Sequence, residues 1–236
     1  MFLSPYFSEA GPDVLISRLQ SSLFAKDIAG DFNPIHDPDN RRFCVPGDLL
    51  FSLVLARYGL SQGMDFRFAG MVGDGIALRF PPDPANAFAV QDAAGKTYLE
   101  VGRQGEISRD TALVENVTRA YVAFSGHNFP HILVPLMEHH GVMINTERPL
   151  VIYECMSFNI ERLDAPDLHL ELVDSTLEVK GKRGDAKLYF RFLSGDEIIG
   201  QGHKKLVLSG LRDLDAQALQ GLINRYAGWK EKHLAG

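Results

Sequence analysis

The chain has 236 residues, 45% of them apolar and 23% charged, with 24 basic against 30 acidic side chains. That composition excludes the disordered, collagenous and disulfide-stapled classes, and surface scaling lets about 70% of the chain's surface be buried. The net charge of −6 divides into 11 basic and 15 acidic residues up to Ala120, and 13 and 15 after it. Neither half is a basic module, so no nucleic-acid partner is expected. Cys44 and Cys155 have no paired spacing, and the N-terminus lacks a basic region followed by an apolar core, so a reducing cytoplasm is the expected location. The longest nearly uncharged apolar run, residues 49–56, is far short of the ~20 residues that span a bilayer, and no membrane span is expected.

In chain order, residues 13–29 carry Val14, Leu15, Ile16, Leu19, Leu23, Phe24 and Ile28, an apolar face at helical spacing. A polar loop, residues 30–40, follows, with two prolines and repeated Asp and Asn. Residues 49–60 are apolar at nearly every position, with Asp48 available as an N-cap. A helix that apolar is buried almost all round. From Gly75 the pattern turns to short, partly alternating segments (76–80, 88–90, 97–101 and 112–124) separated by Pro, Gly and Asp turns, which read as antiparallel strands. The order then repeats: an apolar segment 131–144, strands over 151–160, 168–179, 188–193 and 198–208, and an amphipathic helix over 216–232.

Ala29-Gly30-Asp31-Phe32-Asn33-Pro34 has a degraded echo in Ser125-Gly126-His127-Asn128-Phe129-Pro130, and Val45-Pro46 has one in Val134-Pro135. Helix-then-strands occurring twice, with these echoes, reads as a duplication. One buried helix wrapped by four or five antiparallel strands is the hotdog arrangement, so the expectation is an α+β double hotdog whose two repeats form a pseudo-dimer. The expected domains are 1–124, an N-terminal hotdog, and 125–236, a degenerate hotdog with a terminal helix.

The chain has no G-x-x-x-x-G-K-[ST], no G-x-S-x-G, no H-E-x-x-H and no dinucleotide-binding glycine pattern, which lowers nucleotide, serine-hydrolase and zinc readings. His139 and His140 are adjacent and splay to different faces of a helix, which is poor metal-ligand spacing. The polar loop is the segment with chemistry. Asp31 and His36, five apart with a rigid proline between, are able to converge on one water. Asp-x-Asn-Pro is also ordinary turn chemistry, in which Asp31 caps and His36 packs.

The run Phe24 to His36 resembles the F-A-x-x-S-G-D-x-N-P-[IL]-H signature of the MaoC-like (R)-specific enoyl-CoA hydratases, matching at Phe24, Ala25, Gly30, Asp31, Asn33, Pro34, Ile35 and His36, with Ala29 in place of the usual Ser. The resemblance covers residues 13–124, about half the chain. It implies a hydratase or dehydratase acting on an enoyl or 3-hydroxyacyl thioester of CoA or acyl carrier protein, with no metal and no redox cofactor. It further implies that Asp31 activates water, His36 completes the proton transfer and Asn33 orients the loop. The Gly47 amide would polarise the thioester carbonyl at the N-terminus of the buried helix. Where the family has His-Gly-Met, this chain has Pro46-Gly47-Asp48; an ionised Asp48 opposes a developing oxyanion unless it turns away to cap the helix. Gly126-His127-Asn128-Phe129-Pro130 is similar to the G-H-F-P of β-hydroxyacyl-carrier-protein dehydratases, for which Glu138 is the nearest partner acid. A hotdog acyl thioesterase and a non-catalytic acyl-thioester-binding protein are the competing readings. The pseudo-dimer is expected to stand alone as a monomer or to pair into a homodimer.

Overall fold

The computed structural model describes residues 2–165 and 167–235. The first expected helix is divided. After a short 3-10 turn, β1 (Ser8–Ala10) and β2 (Asp13–Leu15) form a hairpin, and only then does α1 (Arg18–Leu23) begin. Ser17 starts it with a capping box: its hydroxyl accepts from the Gln20 amide, and the Gln20 side chain accepts from the Ser17 amide. The helix widens into a π-helical turn, Phe24–Ala29, and stops at Gly30 in the left-handed conformation, where φ is 64°. The hydratase signature places two residues between its Ala and its Ser position, whereas this chain has three, Lys26, Asp27 and Ile28. A π-turn is how a helix absorbs one extra residue, so the insertion leaves the following loop in register.

Helix α2 (Gly47–Tyr58) buries Leu49 through Leu55 without interruption, as its composition requires. Asp48 does not cap it: the N-cap is Pro46, and Asp48 lies in the first turn. Next come β3 (Leu60–Phe68), β4 (Leu78–Arg79), β5 (Ala87–Gln91) and β6 (Thr97–Ser108). The segment expected as a strand over 112–124 is a helix, α3 (Thr111–Gly126). Its β-branched residues suggest a strand, but Leu113, Val114, Val117, Tyr121 and Val122 recur at helical spacing, and the Asp110 carboxylate accepts from the Leu113 amide as N-cap. The division expected at 124/125 falls in the last turn of this helix.

The second repeat continues with α4 (Leu133–His139), β7 (Val142–Met143), β8 (Val151–Ile160), β9 (Leu168–Lys180), β10 (Arg183–Ser194), β11 (Glu197–Ser209) and β12 (Arg212–Asp213), and α5 (Ala216–Leu234) closes the chain. Ten strands make one antiparallel sheet in the order β1-β2-β4-β5-β6-β3-β8-β11-β10-β9. The halves meet where β3 pairs with β8, in register from Gly63 opposite Asn159 to Arg67 opposite Cys155. β3 was not anticipated, because Gly59 alone separates it from α2. α2 lies in one core with the first-repeat strands and with Met156, Phe158, Phe190 and Phe192 of β8 and β10, and α4 lies in a second with Leu177, Leu188, Leu206 and Leu208 of β9 to β11. The chain is a double hotdog.

Candidate functional site

A cavity of about 350 Å³ opens at the N-terminus of α2, between the 30–40 loop of the first repeat and β8, β11 and α5 of the second. Asp31, Asn33, His36, Gly47 and Asp48, the candidates from the sequence, all line it. Ala25, Leu50, Phe68, Val72, Leu133 and Leu206 make its wall largely apolar.

The loop is rigid for local reasons. Asp31 donates its amide to the Ala25 carbonyl, closing the π-turn across Gly30, and its Oδ1 accepts from the Asn33 amide at 2.9 Å. The Asn33 side chain in turn accepts from the Ile35 amide at 3.2 Å and caps the 3-10 turn Pro34–His36. Asn33 thus fixes the start of that turn. With one oxygen engaged, Asp31 presents Oδ2 to His36 Nε2 at 3.7 Å, too long for a hydrogen bond. The opposite ring nitrogen, Nδ1, is 2.7 Å from the Cys44 carbonyl, which only accepts, so Nδ1 carries the hydrogen. In the neutral ring the Nε2 lone pair then faces Asp31.

Gly47 is the first residue of α2, where a backbone N–H has no partner within the helix. A Cβ there would lie 2.9 Å from Phe68 Cε1 and 3.0 Å from Tyr153 Cδ1, so any larger residue would have to push these rings aside. The Asp48 carboxylate turns to Ser125 of α3, whose hydroxyl donates to Oδ2 at 2.5 Å. Lys204 of β11 donates to the same Ser125 oxygen, and its Nζ lies 3.9 Å from the centre of the Tyr153 ring. Asp48, Ser125 and Lys204 are 8%, 5% and 2% exposed. Burial pushes the Asp48 carboxyl up, against the lowering effect of Lys204 and the Ser125 bond, and burial pulls the Lys204 ammonium down, against Asp48 and Asp31. The Tyr121 and Tyr153 phenols bond each other beside this cluster, and desolvation holds both well above the ordinary tyrosine range, hence neutral.

Sequence reasoning missed Ser125, Lys204 and Tyr226. His203-Lys204-Lys205 reads as a solvated basic run, yet Leu206 and Leu208 are in phase with Lys204 on one face of the strand and all three are buried. That alternation is the signal that places Lys204 inward. Tyr226 of α5 accepts from the Phe32 amide at 3.0 Å, tying the loop to a helix nearly two hundred residues away, and no local pattern announces it. His127 and Glu138 are not brought together at the cavity. His127 caps the end of α3, exposed, with its ring against His131, and Glu138 is exposed on α4. His139 and His140 are exposed as well, and among the described residues no group of His, Cys, Asp and Glu is arranged to hold a metal. Among the described residues no helix is long and apolar enough to cross a membrane.

Among solved structures the chain is similar to a conserved protein of unknown function with hot dog fold from Alicyclobacillus acidocaldarius, at 9% identity and a TM-score of 0.48 over 89% of this chain and 98% of that one. It is similar also to an acyl-CoA thioesterase II from Mycobacterium marinum, at 11% identity and a TM-score of 0.41 over 72% and 90% of the two chains. A MaoC-like dehydratase matches at 10% identity and a TM-score of 0.42 over 85% and 97%. With scores below 0.5, none of these likenesses bears on chemistry. No curated protein matches. A family model described as "Protein of unknown function (DUF3581)" matches residues 1–217, nearly the whole chain, and the chain belongs to that family.

Proposed function

We propose that this protein processes acyl thioesters, adding water to an enoyl thioester or removing it from a 3-hydroxyacyl thioester, with CoA or an acyl carrier protein as the thiol. The observation that carries this reading is the Asp31–His36 pair, set 3.7 Å apart on a braced loop at the mouth of an apolar cavity beside the free amide end of α2. A water held between Asp31 Oδ2 and His36 Nε2 gives its proton to the Nε2 lone pair as its oxygen bonds the β-carbon. The ring, rather than the carboxylate, is thus the base, and Asp31 orients the water and stabilises the imidazolium that forms. The π-electrons move onto the thioester oxygen, where the Gly47 N–H and the positive end of α2 stabilise the enolate. Asp48 does not oppose that charge as an isolated carboxylate does, because Ser125 donates to its Oδ2 and the Lys204 charge lies just beyond Ser125.

Water aimed at the carbonyl carbon by the same pair gives hydrolysis instead, the thioesterase reading. Incubation with crotonyl-CoA, analysed by mass spectrometry and a free-thiol assay, separates the two. The hydratase reading expects 3-hydroxybutyryl-CoA without thiol release. Thiol release from saturated acyl-CoA with no hydration favours the thioesterase. Folded protein that binds an acyl-CoA but converts none is the non-catalytic alternative.

A further inference from the structure

Lys204 is the feature the dyad does not use. It is a nearly inaccessible ammonium on the wall of the same cavity, and burying a charge is costly even when it is paired. Facing it, β8 bulges by one residue at Glu154, between the partners of Lys205 and Leu206, a device common beside functional sites. Its hydrogen bonds have a fixed direction: Lys204 has only hydrogens to give, so it donates to Ser125 Oγ, and the Ser125 hydroxyl donates to Asp48 Oδ2. If the proton moves one place along, the bonds run the other way and none is lost, leaving a neutral amine and a neutral acid. Asp31 and His36 face this group electrostatically from the loop, and Tyr121 and Tyr153 flank it as neutral phenols.

We propose that Ser125, recharged by Lys204 and held by Asp48, is the acid that protonates the substrate's α-carbon in the cavity it shares with the Asp31–His36 pair. This rests on the acyl-thioester reading and names a second proton-handling group for it. In the hydration direction the Ser125 hydroxyl turns from Asp48 Oδ2 to the substrate, and the enolate electron pair forms a C–H bond with its proton. Ser125 takes a proton from Lys204 Nζ in the same step, and Lys204 becomes a neutral amine. The proton that His36 removed from water returns to Lys204 through solvent, so the cycle closes without a co-reactant. In reverse, neutral Lys204 draws the α-proton out through Ser125. Ser125 touches the reacting carbon, and Lys204 and Asp48 act through it.

The test is α-hydrogen exchange of butyryl-CoA in heavy water, read by mass spectrometry, with hydration of crotonyl-CoA measured in parallel. Butyryl-CoA has no site for hydration, so exchange reports the acid group alone. Wild type is expected to exchange, with a rate that rises with pH as Lys204 loses its proton. Ser125→Ala and Lys204→Met are expected to lose about 10²-fold or more, with the pH dependence gone in Lys204→Met. Asp31→Asn is expected to lose hydration while exchange persists. Should Lys204→Met strand Asp48 and fail to fold, Lys204→Met with Asp48→Asn removes both buried charges together and is expected to show the same loss. Exchange at the wild-type rate in Ser125→Ala or in a folded Lys204 variant overturns the proposal, as does wild type that hydrates crotonyl-CoA without exchanging butyryl-CoA; in both cases the acyl-thioester reading stands if hydration is seen. Folded wild type that does neither overturns both.

Discussion

Where the first repeat runs from its π-turn through Gly30, Asp31, Asn33 and Pro34 into α2, the second runs from α3 through Gly126, His127, Phe129 and Pro130 into α4. The backbone paths differ as well as the side chains: Gly30 stands beyond its π-turn in the left-handed conformation, whereas Gly126 is the last residue of α3. The first copy keeps a carboxylate and an imidazole facing one cavity, whereas the second turns His127 outward and contributes Ser125, which aligns with Ala29. The copies also touch at this point, since a Cβ on Gly126 would run into the Ala29 carbonyl oxygen. One cavity lined by both halves needs each group only once, so the two loops are free to differ in their side chains.

Removing the dyad should break that comparison most. Asp31→Asn and His36→Ala are each expected to reduce turnover of an enoyl thioester by about 10²–10⁴-fold. The double variant should be little worse than the worse single one, since both residues serve one proton transfer. His127→Ala, at the position aligned with Asp31, should leave turnover unchanged and alter stability by less than about 0.5 kcal/mol. A comparable loss of turnover in His127→Ala would mean that the second loop is catalytic too.

The paired glycines sharpen the structural side. Gly126→Ala drives a methyl into the Ala29 backbone, which has no rotamer to yield, and should cost about 1–3 kcal/mol or more in urea unfolding. At Gly30 a Cβ meets nothing, but φ of 64° disfavours any L side chain, so Gly30→Ala should cost about 1–2 kcal/mol. Equal costs from equal causes would contradict the asymmetric packing of the two loops.

The buried relay gives stability a pH dependence of known sign. A carboxyl held above its ordinary 3.8 binds its proton more tightly folded than unfolded, so Asp48 contributes stability at low pH that is lost as pH rises through its raised pKa. An amine held below its ordinary 10.5 does the reverse: Lys204's contribution is present above that value and lost as pH falls through its lowered pKa. Urea unfolding across pH should show both limbs in wild type. The acid-side limb should be missing in Asp48→Asn and both in Asp48→Asn with Lys204→Met.

What the sequence discloses follows from where each signal is written. α2 is legible because a helix buried all round is apolar at every turn, and the loop of Asp31 and His36 because its residues are contiguous. α3 reads locally as a strand because Val114, Val117, Thr118 and Val122 carry strand propensity, while the helical period that decides the matter shows only over the full length of the segment. The π-turn hides an inserted residue inside a match that looks complete. Lys204 and Tyr226 are the hardest, since each acquires its role from a partner far away in the chain.

Tyr226 carries the smallest expected effect and the most specific one. Its hydroxyl accepts from the Phe32 amide at 3.0 Å, its ring meets Phe32 and Phe129 at centroid separations of 5.9 Å and 5.2 Å, and burial with the Asp31 charge keeps the phenol neutral. Two turns further, His233 Nε2 lies 2.6 Å from Asp27 Oδ1, so α5 also holds the π-turn that leads into the loop. Tyr226→Phe keeps both ring contacts and strands one buried amide, which should cost about 1 kcal/mol. Because that amide sits between Asp31 and Asn33, the loop should loosen, lowering kcat more than it raises KM. His233→Ala removes the Asp27 bond and a ring contact with Phe32 at 5.6 Å but no hydrogen bond to the loop amides, and should lower kcat less than Tyr226→Phe does. If Tyr226→Phe matches wild type in both stability and kcat, α5 merely covers the second core and the two repeats hold the loop without it.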